Sequence, residues 1–459
     1  TKSKWWQSFD VRMIDHHERA PAQLLKVDSF SDSLKLSEPL LPAVKQVDRT
    51  LYVCIVLLGV GSVLPTFVIF AAVDYFETMS PDMMVHVNLA YNGMLFMAAF
   101  ANASAKSLES AGFTIRIIWG FVGIGACMGS LPVLEHFRGG PLSEEAFEIA
   151  VVFVAAGLGV SDAFAQAPLY GVISASCPPI YMQGLMLGVA LCGTSITLAR
   201  MLLKGLTQGS TYLSASIFFS FAAVYAFGSA ALYLRMRLRN PVFLAFLFDA
   251  EQTSPTLMRR AYLKSPGVLR RPPSTLSFAG QIYELLRKRA VFEVMLMLMI
   301  IHAQQFVVLP SIVGISHDFI GFGWSALCGI FLYNAGELLG RGPLAAHYCL
   351  PIRWVWPAVC VRGAIDAAIC ACVPPYAFSR SPYPLLALVT MLGASTGWLA
   401  TSVMQQVGSR GKPQDRETIG YMSILAIFSG FVVGSGLTYP LVLLVKALRP
   451  SYHGWRIDA

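Results

Sequence analysis

Eleven apolar stretches, each about 20 residues or longer, recur along this chain of 459 residues. They run 50–74, 83–106, 112–134, 147–174, 180–206, 211–236, 290–314, 323–345, 353–373, 382–408 and 417–447. At a rise of 1.5 Å per residue, such a stretch crosses the ~30 Å hydrocarbon layer of a bilayer as a helix. No water satisfies backbone groups there, so helices are the expected form, whereas a membrane β-barrel reads as about ten-residue alternating strands. Charged residues make up 13% of the chain and hydrophobic ones 55%, against about 25% charged in soluble domains. The predicted class is an all-α membrane protein with eleven transmembrane helices.

Charge orders these helices. Residues 235–289 carry eleven Lys/Arg and three acids, a surplus equal to the +8 of the whole chain. This is the positive-inside signal of a cytoplasmic loop and not a nucleic-acid footprint. It predicts a cytoplasmic tail at 1–49, six helices over 50–236, a basic loop at 237–289, five helices over 290–447 and an extracellular tail at 448–459. The acidic connections holding Asp74, Glu77 and Asp82, and Glu135, Glu144 and Glu145, fall outside the cell. In the basic loop, 242–248 is apolar but too short to span, and reads either as an interfacial helix or as part of a tether. The division is that of two bundles around a central cavity, an architecture suited to alternating access. No cleavable signal peptide is read at the start, where the first helix serves as the insertion signal.

Polar residues inside such helices carry the function, because ionisable groups at that depth face cavities or pathways. Glu337 and Arg341 lie four residues apart on one helix face with Asn334, and partly neutralise each other. Asp162 and Gln166 repeat that spacing ahead of Pro168, which removes a backbone donor. Gln166 suits the edge of a nucleobase or a sugar hydroxyl, or serves as an interhelical hydrogen bond. In the first span, Pro65 predicts a kink, and Val63, Thr66, Phe67 and Phe70 offer an apolar wall. Arg362 and Asp366 are expected to pair, and Arg200 and Lys204 to snorkel outward. Gln304, Gln305 and His302 complete the set, with His302 either a structural or a proton-carrying group. No P-loop, G-x-S-x-G, H-E-x-x-H or zinc spacing is present, so neither an enzyme nor a cofactor or metal site is expected. The nine cysteines read as buried thiols.

At these residues the chain resembles the equilibrative nucleoside transporter family. Tyr333-Asn334-x-x-Glu337-x-x-Gly340-Arg341 is similar to F-N-x-x-D-x-x-G-R of its eighth span. Gln166 to Gly171 resembles Q-G-S-L-F-G of the fourth, and Gly59-x-Gly61-x-x-Leu64-Pro65 resembles G-x-G-x-x-L-P-W-N of the first, with Tyr75-Phe76 at the family spacing. Ser395 to Trp398 resembles S-N-G-Y, Glu417-Thr418-x-Gly420 resembles E-T-x-G, and Arg116-Ile117 resembles R-I. The resemblance implies a major-facilitator-like fold of eleven helices, that Glu337 and Arg341 bind ribose hydroxyls, that Gln166 contacts the base, and that Arg116 and Glu417 form a cytoplasmic gate. Glutamate replaces the family's aspartate at 337, Thr66 its tryptophan and Phe67 its asparagine. Asp162 stands where several relatives have glycine.

The expected function is facilitative nucleoside transport across the plasma membrane by a monomer, with purine nucleosides such as adenosine or inosine, or nucleobases, as small-molecule partners and the lipid bilayer as surroundings. A proton-coupled variant would use Asp162, Glu337 or His302 as carriers. The rivals are a non-transporting receptor or scaffold that docks partners on the basic loop, and a carrier for another vicinal diol such as a sugar.

Overall fold

The structure is a computed structural model describing residues 48–80, 83–104, 112–138, 140–207, 210–253, 278–309, 324–372, 383–407, 410–411 and 415–448. Nearly all of both predicted tails, and the centre of the basic loop, lie outside the described residues. The elements are α1 (Arg49–Ser62), α2 (Leu64–Ala71), α3 (Val73–Glu77), α4 (Met83–Ser104), α5 (Gly112–Phe137), α6 (Glu144–Ser176), α7 (Pro179–Leu206), α8 (Thr211–Arg239), α9 (Pro241–Thr253) and α10 (Phe278–Leu286). They continue as α11 (Arg289–Val308), α12 (Trp324–Leu339), a π-helical turn (Gly340–Leu344), α13 (Ala345–His347), α14 (Ile352–Cys372), α15 (Tyr383–Val407) and α16 (Arg416–Leu448).

Among the described residues nine helices are long and apolar enough to cross a membrane, and ten if the bent pair α1–α2 is one span. The eighth predicted span is the one that departs from a regular helix. Its α-helix is 16 residues long and passes into the π turn Gly340–Leu344, which contains Pro343. Proline has no N–H for the i−4 carbonyl, and a widened turn accommodates that loss within the helix. In the first span the chain breaks at Val63, with 49° between α1 and α2 and Pro65 in the first turn of α2. Pro168 has a milder effect, and α6 runs through it without interruption. Ser143 caps that helix by accepting from the Ala146 N–H at 3.3 Å, ahead of Glu144 and Glu145, which suit the positive end of the helix dipole.

Large apolar side chains such as Trp119, Phe153, Phe221 and Val224 are exposed, whereas Asn92, Asp162, Arg200 and Arg362 are buried. That inversion is what a lipid-facing exterior requires. The apolar run 242–248 forms part of α9, which buries Phe243, Phe246 and Leu247 and leaves Leu244 exposed. Phe243 meets Tyr233 edge-on at 5.8 Å and Phe246 meets Tyr181 at 5.9 Å.

The contact that positions Glu337 and Arg341 is α12 and the π turn against α15. Four glycines form it. A Cβ added at Gly336 or Gly340 would collide with the Thr390 or Ala394 carbonyl, and one at Gly393 or Gly397 with the Tyr333 or Glu337 carbonyl. Small residues at i,i+4 on both helices let the backbones touch, the usual device for helix association in lipid. Gly393→Val should force them apart at a cost of about 1–3 kcal/mol or more. The expected result is a lower midpoint in a thermal melt of purified protein, and an unchanged midpoint would refute this packing.

Candidate functional site

Glu337 and Arg341 are buried, with side-chain exposures of 1% and 4%. Arg341 donates through Nε to Glu337 Oε1 at 2.8 Å, and also through Nη2 to the same oxygen. Its Nη1 approaches the Met186 sulfur of α7 at 3.4 Å. Among the described residues Glu337 Oε2 has no partner. The glutamate therefore returns along its own helix to the arginine and keeps one oxygen free. Burying two charges is costly unless remaining lone pairs are satisfied, so a free carboxylate oxygen marks a place for a donor that the protein does not supply.

That oxygen belongs to a residue lining a cavity among the spans. The lining includes the predicted Val63, Thr66, Phe67, Gln166, His302, Glu337 and Arg341, and the further candidate Gln305. It adds Tyr170, Met186, Val189, Ile424, Ile427 and Phe431, which the sequence reading did not single out. Nothing distinguishes these apolar residues from lipid-facing ones until the helix faces are known. Val63, Thr66 and Phe67 reach the cavity from the break in the first span. Gln166 is buried, and its amide faces the Asp162 carboxylate on its own helix while the residue borders the same cavity as Glu337. Phe431 stacks on Phe306 with centroids 4.2 Å apart, and Phe306 in turn touches Phe70 at 5.3 Å. Phe70 thus supports the aromatic wall from behind. His302 Nδ1 pairs with the Leu298 carbonyl at 2.8 Å; a carbonyl only accepts, so the neutral ring offers its other nitrogen as an acceptor.

Other expected residues lie elsewhere. Asn334 is not in the cavity wall: its amide donates to the Gly193 carbonyl at 3.1 Å and to Thr197 Oγ1 at 2.9 Å, and Thr194 donates to the Asn334 carbonyl at 3.0 Å. It clasps α12 to α7. Asp162 is fully buried behind the wall and accepts from the Tyr91 hydroxyl. Arg116 donates to Asn102 Oδ1 at 2.9 Å, and the Glu417 side chain lies outside the described residues. Asn102, although in a sequon, is buried in that pair.

Two readings are corrected. Arg200 and Lys204 do not snorkel: they hold the Asp74 carboxylate at 2.9 and 2.8 Å, all three side chains at least 95% buried. Arg200 also donates to Ser214 at 2.7 Å, and Lys204 sits over the Trp324 ring at 5.5 Å. Arg362 and Asp366 do not bond each other. Arg362 donates to the Ile301 carbonyl and to Thr396 Oγ1 at 2.8 Å, and Tyr333 also donates to Thr396, at 3.0 Å. Both carboxylate oxygens of Asp366 are without partners.

The described residues thus form a multi-pass helical membrane protein whose largely apolar cavity is bordered by a buried acid–base pair. The profile of the nucleoside transporter family matches residues 149–443, well over half of the chain, and the protein belongs to that family. It is 25% identical over 407 residues to equilibrative nucleotide transporter 1 of Arabidopsis thaliana, covering 84% of this chain and 85% of that one. It is 24% identical over 405 residues to equilibrative nucleotide transporter 8 of the same plant, covering 84% and 94%. A crystal structure of the peptide transporter POT with alafosfalin aligns over 87% of this chain and 94% of that one, with a TM-score of 0.48 and 11% identity.

Proposed function

We propose that this protein carries nucleosides, purine nucleosides foremost, down their gradient across the plasma membrane by alternating access of two helical bundles, 50–236 and 290–447, which together hold eleven spans. The observation that carries this reading is the buried Glu337–Arg341 pair at the wall of a cavity that Gln166 also lines, with Glu337 Oε2 lacking a partner among the described residues. A ribose diol donates to the free carboxylate oxygen and accepts from Arg341, while Gln166 meets a base edge. Phe67 and Phe431 flank the planar base with apolar surface.

The charge balance favours an unphosphorylated substrate. Arg341 is the lone arginine or lysine among the lining residues and is already bonded to Glu337. A phosphate would bring roughly 1.5–2 negative charges with no unpaired cation to meet them. Labelled adenosine uptake in a purine-transport-deficient cell tests the proposal. Unlabelled adenosine and inosine should compete, and ribose and AMP should not. Uptake no greater than in cells lacking the protein would refute transport, and equal competition by ribose would refute recognition of the base.

A further inference from the structure

We propose that Tyr91 is a positioning residue that makes the cavity's choice between amino- and oxo-purines depend on pH, by relaying the protonation state of Asp162 to the hydroxyl of Thr66. The proposal rests on reading the cavity as a nucleoside site. Its basis is an unbroken chain of three buried side chains from three helices. Thr66 of α2 lines the cavity, and its Oγ1 lies 2.7 Å from the Tyr91 hydroxyl of α4. Tyr91 is 0% exposed and hydrogen-bonds to Asp162 Oδ2 of α6. Asp162 is also 0% exposed, and the Gln166 amide of its own helix faces its carboxylate.

The direction of every bond in this chain follows from Asp162. A carboxylate only accepts. When Asp162 is charged, Tyr91 therefore donates to it, the Tyr91 oxygen accepts from Thr66, and Thr66 turns only lone pairs to the cavity. When Asp162 holds a proton on Oδ2, that O–H donates to Tyr91, Tyr91 donates to Thr66, and Thr66 points its own proton into the cavity. The change needs one proton from cavity water. Thr66 gains it and passes its former proton to Tyr91, and Tyr91 passes its former proton to Asp162, so each hydroxyl ends neutral and the carboxylate becomes the acid. One buried ionisation is thereby read at the cavity wall as acceptor or donor. The exocyclic amine of adenosine requires an acceptor and the carbonyl of inosine a donor.

The groups around Asp162 leave this titration to the chain itself. α2 presents Thr66, α4 presents Tyr91 and α7 presents Cys192, while α6 itself adds Gln166 and Tyr170. Cys127 of α5 lies against Gly157 and Ser161. α16 meets α6 further along, with Tyr421 against Gly171 and Gly420 against Ser174. The acids of α9, Asp249 and Glu251, have side chains outside the described residues. Glu337 and Arg341 are the ionised pair across the cavity.

The test uses the full chain in proteoliposomes, with adenosine and inosine uptake measured together from about pH 5.5 to about pH 7.5, a window in which neither nucleoside changes charge and a buried carboxyl titrates. The adenosine-to-inosine ratio should fall by about fivefold or more on acidification, the factor set by one mismatched buried hydrogen bond. In Tyr91→Phe the ratio should be independent of pH. Because it is a ratio, it is not moved by the amount of folded protein. Thr66→Val breaks the chain at its other end and should flatten the profile as well, which serves if Tyr91→Phe does not fold. A flat wild-type ratio, or a Tyr91→Phe ratio that titrates like wild type, would overturn the proposal and leave nucleoside transport standing. Absence of all uptake by the wild type would overturn both.

Discussion

Glu337→Ala is expected to abolish nucleoside uptake and to lower thermal stability, and the two losses have separable causes. The substitution leaves the Arg341 guanidinium, now 4% exposed, without its carboxylate. An uncompensated buried charge typically costs about 3–5 kcal/mol, relieved here in part because Arg341 borders the cavity. The double variant Glu337→Met, Arg341→Met removes both charges at similar volume, and replacing a buried pair by hydrophobic residues in this way is often neutral or stabilising. It should regain the wild-type melting midpoint while remaining inactive, because the ribose acceptor at Oε2 is gone. If the pair served only to neutralise itself, the double variant would regain uptake along with stability. Uptake and melting curves on the same preparations distinguish the two.

Asp74→Ala should be the most destabilising single change outside the cavity. Asp74 is the acid shared by Arg200 and Lys204, whose side chains are 0% and 4% exposed. Removing it strands two buried cations, and the expected cost is at least the ~3–5 kcal/mol of one broken buried pair. The cluster ties α3 to α7 and, through Ser214 and Trp324, reaches α8 and α12. The variant is expected to aggregate on extraction and size-exclusion chromatography. Adding Arg200→Leu and Lys204→Met should restore a monodisperse peak, because no charge is then left unpaired. A monodisperse Asp74→Ala single variant would show that the cluster adds no stability.

These expectations depend on features that differ in how plainly the chain announces them. The spans were legible because membrane burial writes itself as a continuous apolar run, and helix ends such as Ser143–Glu144–Glu145 carry their own capping chemistry. The Glu337–Arg341 bond was legible because both partners share one turn. Arg200 and Lys204 were misread because their partner is 126 residues from Arg200, and spacing within a helix says nothing about its neighbours. Arg362 and Asp366 show the converse: the i,i+4 spacing was right for a pair, but the Ile301 carbonyl and Thr396 on adjacent helices take the guanidinium instead. Asn334 shares the polar face of α12, yet the Gly193 carbonyl and Thr197 draw it out of the cavity. Tyr91 carried no signal at all, since a tyrosine in an apolar run is ordinary until a carboxylate is seen at its hydroxyl. The π turn at Gly340–Leu344 had one clue, Pro343, which marks a lost hydrogen bond but not how the helix absorbs it.

The central claim is that the cavity holding Glu337, Arg341 and Gln166 is a nucleoside carrier's binding site. Counterflow tests it most directly. Purified protein is placed in liposomes preloaded with unlabelled adenosine, and labelled adenosine is added outside. The account predicts a transient accumulation of label above its external concentration in wild-type vesicles, and none in vesicles containing Gln166→Leu or Glu337→Ala. Wild-type vesicles that take up label no faster than protein-free liposomes would contradict it.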